Sequence, residues 1–198
     1  PLRRTAGISP AYADGILVCP TSAGAVVGVD LGTRSLLWGH RYTVSAEHQH
    51  SGRRAAVLMR QMHQRQGQPS LRWADTGLTI VEGCVLLSPL ESDALICLDL
   101  LDGKQRWRYR RQDELYVACI YQGKVILVAK DAVLALQFKA EPDERGQPQA
   151  AWGGHRVPLP ENSTPSGRGF LADNQYVLPL TSGQVVAIDL DTHEIVER

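Results

Sequence analysis

The sequence has few of the features that would assign a chemistry to it. Only 6% of its 198 residues are aromatic, two are methionine and four are cysteine, and no cysteines stand adjacent or in a CxxC pair. This usage does not indicate a disulfide scaffold. The apolar runs have the length of strands, which excludes a transmembrane helix, and the start of the chain has no signal-peptide pattern. The first residue is Pro1, so we expect the chain to be part of a longer or processed protein.

Charge is equally uninformative. The 21 basic and 21 acidic residues cancel, so the net charge gives no strong signal for nucleic acid or for an acidic surface. The four cysteines, Cys19, Cys84, Cys97 and Cys119, lie in or beside apolar runs. We therefore expect four buried small apolar residues and no metal site. No P-loop, zinc-protease or Gly-x-Ser-x-Gly motif occurs.

One pattern recurs four times: a polar turn, an apolar run, a second turn and a second apolar run. Gly and Asn tolerate the positive φ angle that a two-residue hairpin turn needs. The four copies begin at Asp14-Gly15, Glu82-Gly83, Gln122-Gly123 and Asp173-Asn174. Each copy therefore predicts a β-hairpin.

The second run of three copies ends in aspartate, at Asp30, Asp99 and Asp189. A recurring Asp at this place indicates a turn residue that accepts backbone N–H groups, which we favour over a catalytic role. A tryptophan follows eight residues later in two copies, at Trp38 and Trp107. In the third copy a polar loop over 141–149 delays the candidate Trp152.

Repeats of about 40 to 50 residues made of short strands are typical of β-propeller blades, which are apolar on both faces because each blade packs between two others. We therefore predict an all-β fold, a β-propeller segment of about four four-stranded antiparallel blades in a single domain over 1–198. The blades are expected at about 7–42, 71–111, 115–157 and 168–198. An insertion over 43–70 follows blade one, with a short helix over 53–66.

The residues Ala187-Ile188-Asp189 and Thr192, together with Cys97-Leu98-Asp99, Gly103 and Trp107, resemble the repeat of the PQQ-like (quinoprotein-like) β-propellers, in their bacterial, non-enzymatic branch. In that family the tryptophan docks between adjacent blades. The resemblance implies this role for Trp38, Trp107 and Trp152, with Asp30, Asp99 and Asp189 in the neighbouring turns.

The chain departs from the family pattern at a few positions. Arg34 and His193 stand where glycine is usual, and Cys97 and Gly28 replace alanine. We expect these departures to weaken individual turns more than the fold. Rings of this family have about eight blades, so three arrangements stay open: further blades in a parent protein, pairing of two copies into one ring, or a closed four-bladed ring.

The insertion is strongly basic and carries the arginines Arg53, Arg54, Arg60 and Arg65. Such a segment can bind a phosphate, an acidic protein or a lipid surface. We favour a solvated helix packed on the rim, and keep the four arginines as candidate partner-binding residues. The nearby His48, His50, Met59, Met62 and His63 invite a soft-metal site, but no spacing fixes a third ligand, and solvated histidines are favoured.

These observations favour a non-catalytic module that binds or scaffolds a protein, or that associates with itself to complete a ring. The family resemblance implies the bacterial cell envelope or secretion as its location. Two alternatives are a part of a quinone-dependent dehydrogenase and a phosphate or lipid-surface binder. In the dehydrogenases of the family, a quinone and calcium lie on the ring axis under a disulfide between adjacent cysteines. No such cysteine pair exists here, and no cofactor is predicted.

Overall fold

A computed structural model describes residues 8–21, 24–43, 76–89 and 92–196. Within these ranges every regular element is a strand except one 3₁₀ turn, Trp152–Gly154, and no helix is long and apolar enough to cross a membrane. The sixteen described strands form four four-stranded sheets, in which strands adjacent in sequence pair antiparallel. The predicted all-β fold of about four four-stranded antiparallel sheets is confirmed. The predicted helix over 53–66 and the arginines it carries lie outside the described residues.

The chain divides into two compact units, of which the first is Pro1–Arg111. Its first sheet contains β1 (Ala11–Ala13), β2 (Ile16–Pro20), β3 (Ala25–Asp30) and β4 (Ser35–Arg41). Its second sheet contains β5 (Gly77–Val81), β6 (Cys84–Ser88), β7 (Ala94–Asp99) and β8 (Gln105–Arg110).

The second unit, Gln112–Arg198, holds the other two sheets. The third sheet contains β9 (Glu114–Tyr121), β10 (Lys124–Ala129), β11 (Ala132–Gln137) and the short β12 (Val157–Pro158). The fourth contains β13 (Phe170–Ala172), β14 (Gln175–Pro179), β15 (Val185–Asp189) and β16 (Glu194–Val196).

The first turn of each sheet has the backbone that its sequence demands. Both turn residues have positive φ in three sheets, for example 47° at Glu82 and 75° at Gly83. Such turns match the right-handed twist of the strands they join. In the fourth sheet Asp173 has φ 53°, and the Asn174 amide donates to Asp189 Oδ2 at 3.0 Å. Local sequence therefore sets the hairpins.

Burial explains the continuous apolar runs. In the second sheet all of β6 is buried, as is β7 up to its terminal Asp99, so both of its faces are covered. The third sheet shows the same pattern in β10 and β11. Complete burial of one Leu, Ile or Val side chain stabilises the fold by roughly 1.5–3 kcal/mol. These two sheets therefore provide the largest share of the buried apolar side chains.

Candidate functional site

Each recurring aspartate accepts hydrogen bonds from backbone amides of the turn that follows it. Asp30 Oδ1 accepts from the Gly32 and Thr33 amides at 2.7 and 2.9 Å. Asp189 Oδ1 accepts from the Asp191 and Thr192 amides at 2.8 and 2.9 Å. These bonds lower the pKa of both carboxyls, with the Thr33 and Thr192 amides as the largest causes. The geometry is that of a turn.

Asp99 has a second partner. Its Oδ1 accepts from the Leu101 amide at 2.9 Å, and its Oδ2 accepts from Arg106 Nη2 at 2.7 Å. The hydrogen bond from Arg106 is the largest cause that lowers the Asp99 pKa below its ordinary value. The carboxylate therefore stabilises the turn in its ionised form.

This pKa shift predicts an acid dependence. Because the folded-state pKa lies below the unfolded value of about 3.8, the Asp99 contribution is present above that value and is lost as pH falls through the folded pKa. We expect Asp99→Asn to lower Tm at pH 7 and the two Tm values to converge below about pH 4. Circular dichroism melts between pH 7 and 2.5 measure this. A difference that stays constant over that range would contradict it, and Asp173→Asn in an exposed turn is the control.

Trp38 lies buried between the first two sheets of the first unit. Its Nε1 donates a hydrogen bond to the Leu100 carbonyl at 2.8 Å, in the turn between β7 and β8. A Cβ atom added at Gly103 in that turn would lie 2.5 Å from the indole ring, and one added at Gly28 in β3 would overlap it as well. The ring therefore fills a space that two glycines leave open.

Gly28, which replaces the alanine usual in the family repeat, therefore has a packing role: it leaves room for the Trp38 ring. Gly28 lies opposite Trp38 across β3 and β4, and any larger residue would displace the indole. Arg34 and His193, which stand where glycine is usual, adopt φ of 57° and 61°, close to the 69° of Gly103. They keep the left-handed turn at a cost of roughly 1–2 kcal/mol each.

In the second unit, Trp152 contacts the turn between β15 and β16 of the fourth sheet through its ring. It lies in the 3₁₀ turn, not in a strand, and its ring centroid is 4.7 Å from that of His193 with an interplanar angle of 32°. Its Nε1 is buried without a hydrogen-bond partner among the described residues. Trp107 is buried in β8 opposite Cys97. A docking role for the three tryptophans stays a prediction.

The first sheet has an apolar face that is open to solvent. Tyr12, Leu17, Val29 and Leu36 pair in one row across all four strands. Tyr12 is 60% and Leu36 66% exposed, and the two central residues are half-buried. Residues on the opposite side of these strands, such as Val18, are buried in the core of the first unit. We call this row the first open face.

The fourth sheet has a corresponding face. Phe170, Val177, Ala187 and Val196 pair in one row across its four strands, although the small Ala187 is itself buried. Val185 lies two pairs further along β15, on the same side of the sheet. Phe170 is 63% and Val185 64% exposed. The alternate residues Tyr176, Leu178 and Ile188 are buried in the core of the second unit. We call this set, Val185 included, the second open face.

The open faces are as apolar as the covered ones, and only their burial differs. Strands β2 and β14 alternate between buried and half-buried residues, whereas β6 is buried throughout. A strand that is exposed on one side usually carries polar residues there. Contiguous exposed apolar side chains mark interaction sites. The sequence predicts that an open set of blades leaves faces exposed, but it does not show which residues form them, because these residues are indistinguishable in type from the core.

The chain offers little for a metal or cofactor in the part that the structure describes. No group of three or more His, Cys, Asp or Glu side chains in those ranges could hold a metal ion. This donor set does not fit the quinone and calcium that the resemblance associates with dehydrogenases. The candidate histidines and methionines of the insertion, from His48 to His63, lie outside the described residues.

The cysteine prediction is half right. Cys84 and Cys97 are fully buried, but Cys19 and Cys119 are part-exposed. Cys19 is part-exposed because it stands on the same side of the first sheet as the first open face, opposite Val27. Burial still raises the pKa of the Cys119 thiol to about 11.

A known family accounts for this architecture. The sequence profile of the family described as outer membrane protein assembly factor BamB matches residues 24–196. The chain belongs to this family. No curated protein matches this BamB-family chain in sequence.

Solved structures resemble this BamB-family chain in fold. BamB from Moraxella catarrhalis superposes with a TM-score of 0.56 at 16% identity, over 92% of this chain and 49% of that one. A europium-containing methanol dehydrogenase gives 0.58 at 14% identity, over 94% and 40%. The computationally designed Ika4 protein gives 0.53 at 14% identity, over 94% and 92%. The chain is thus a β-propeller segment of PQQ-like repeats that spans about half the length of that BamB.

Proposed function

We propose that this chain is a non-catalytic β-propeller module that binds protein through its two open faces. The observation that carries the proposal is the row of apolar side chains across all four strands of the first sheet, from Tyr12 to Leu36. The second open face repeats the arrangement in the fourth sheet. A propeller blade normally has both faces covered by other blades, so the occupant with the matching shape is another apolar sheet.

Such a sheet has two sources: a further blade of the same parent protein, or a second copy of this chain that completes a ring. Exposed apolar sheet residues favour both, because covering them removes apolar surface from water. The family description as an outer membrane protein assembly factor supports a location in the bacterial envelope and a partner that takes part in that assembly. The same description favours a binding role over catalysis.

The test uses one charge on the first open face and a matched control. Leu36→Lys places an ammonium group on the first open face, whereas Leu101→Lys changes a leucine that is 71% exposed in the β7–β8 turn of the same unit. We expect Leu36→Lys to weaken self-association, or binding of the purified parent blades, by about tenfold or more, which corresponds to about 1.4 kcal/mol. Leu101→Lys should leave it unchanged.

Sedimentation velocity over a concentration series measures self-association, and calorimetric titration with the purified parent blades measures binding to those blades. If Leu36→Lys, Leu101→Lys and the unmodified chain associate equally strongly in both experiments, the first open face is not a binding surface. Phe170→Lys applies the same test to the second open face.

The basic insertion is the second proposed binding surface, through Arg53, Arg54, Arg60 and Arg65. A phosphate or lipid-surface role predicts binding to anionic vesicles that falls steeply with salt and is lost when the four arginines become alanine. Binding that is indifferent to salt would separate the insertion from that role. The Leu36→Lys experiment is independent of this outcome, because it changes no charge in the insertion.

A further inference from the structure

Within the first unit, one side of the first sheet packs on one side of the second. A single buried cluster contains Val18 and Val26 of the first sheet together with Leu98 and Leu100 of the second sheet and its turn. We call the side of a sheet that packs on the next sheet its forward side, and the side that packs on the preceding sheet its backward side. In this contact a forward side therefore meets a backward side.

The second unit makes the same contact at the same positions of the repeat. Its buried cluster contains Val133 of the third sheet and Leu190 in the turn of the fourth. Leu190 directly follows the Asp189 that ends its strand, as Leu100 follows Asp99. The forward-to-backward contact thus occurs once in each unit, with equivalent residues on the backward side.

The first open face is a backward side without a cover. The leucine after the third strand is Leu31 in the first sheet, Leu100 in the second and Leu190 in the fourth. In each case its amide donates a hydrogen bond of 2.9–3.0 Å to the carbonyl of the residue that ends the first turn. Leu100 is 1% and Leu190 0% exposed, whereas Leu31 is 45% exposed. The backbone is the same, and only the covering sheet is missing.

The second open face is a forward side without a cover. Val26, Val133 and Val185 each stand four residues before the end of the third strand of their sheet. Val26 and Val133 are 0% exposed, whereas Val185 is 64% exposed. The two open faces are therefore the two different halves of the contact that both units bury.

We propose that the first open face binds the second open face of another copy of this chain. This pairing rests on the proposed function and adds which surface covers which. Two backward sides, or two forward sides, reproduce neither of the contacts inside the units. Each copy has one uncovered side of each kind, so a second copy provides the partner for both. Because the chain spans about half the length of the Moraxella catarrhalis BamB, two copies also supply about the length of that relative.

The test uses one lysine on each open face. Leu31→Lys changes the first face and Val185→Lys the second, and both side chains are exposed, so each variant should keep the circular dichroism spectrum of the unmodified chain. In sedimentation velocity, each variant alone should self-associate about tenfold or more weakly than the unmodified chain, because the contact buries a charge among apolar side chains. Leu101→Lys adds the same charge outside both faces and should change nothing.

Mixing the two variants tests the pairing of unlike faces directly. The Val185→Lys copy has an intact first face and the Leu31→Lys copy an intact second face, so an equimolar mixture should form a heterodimer through that one unaltered contact. The other possible contact places two lysines opposite each other and contributes nothing. A mixture that associates no more strongly than the variants alone would overturn the pairing.

The remaining outcomes separate this inference from the proposed function. If only one variant weakens self-association, like faces pair with each other, and the inference is wrong although an open face still binds. If the unmodified chain self-associates and neither variant weakens it, the inference and the open-face binding role both fail. A chain that stays monomeric throughout the concentration series rules out a second copy as the occupant, and titration with the purified parent blades then decides the proposed function alone.

Discussion

Replacing Trp38 by alanine lowers the free energy of unfolding by about 3–5 kcal/mol, the usual cost of deleting a buried tryptophan. The loss has two sources. The indole fills the space between Gly28 and Gly103, so its removal leaves a cavity in the first unit. It also removes the hydrogen bond to the Leu100 carbonyl, which lies in a buried residue. Urea denaturation followed by circular dichroism measures the change.

Phenylalanine substitutions separate the two sources. Trp38→Phe keeps an aromatic ring but leaves the Leu100 carbonyl without the indole N–H, at a further cost of about 1–3 kcal/mol. Trp152→Phe removes an Nε1 that is buried without a partner among the described residues. This substitution therefore breaks no hydrogen bond of that kind. We expect Trp38→Phe to be clearly the more destabilising of the two. Equal losses would mean that the Leu100 hydrogen bond contributes nothing measurable.

Gly103→Ala destabilises the first unit by about 2–5 kcal/mol. Its φ of 69° costs an L-residue roughly 1–2 kcal/mol. The new methyl group also meets the Trp38 ring at 2.5 Å, and overpacking of a buried site costs about 1–3 kcal/mol. The same denaturation experiment measures the change.

Gly83→Ala is the matched control, because Gly83 has φ 75° but nothing within 4 Å of a new Cβ. The difference between the two variants isolates the clash with Trp38. If both lose the same stability, the indole moves without cost and the tight fit at Gly103 is not a stabilising feature. Adding Trp38→Ala to Gly103→Ala should relieve the clash, because the double variant lacks the obstructing ring. The double variant should therefore lose less stability than the sum of the two single losses.

The repeat made the sheets predictable because its signals are local. A two-residue turn that needs positive φ, followed by an apolar run, specifies a hairpin without reference to the remainder of the chain, and Glu82-Gly83 followed by β6 is one instance. The recurring aspartates were predictable for the same reason, because Asp30 bonds to amides two and three residues ahead.

What depends on distant residues was not predictable. Gly28 looked like a defect in the repeat, and only its position opposite Trp38 and near the β7–β8 turn shows why a side chain is excluded there. Trp152 lies in a 3₁₀ turn, after the polar loop over 141–149 and before the short strand β12. The open faces could not be recognised either, since Val29 on an open face and Val26 on a covered one have the same chemistry and differ only in their neighbours.

The left-handed turns between the first two strands of three sheets have a practical consequence. A Cβ added at Gly15, Gly83 or Gly123 would meet nothing within 4 Å. The strands on either side of each turn are held by their own ladders. These loop tips are therefore suitable places to graft an epitope or a fluorescent label, which would report on the protein without occupying the surfaces assigned to binding.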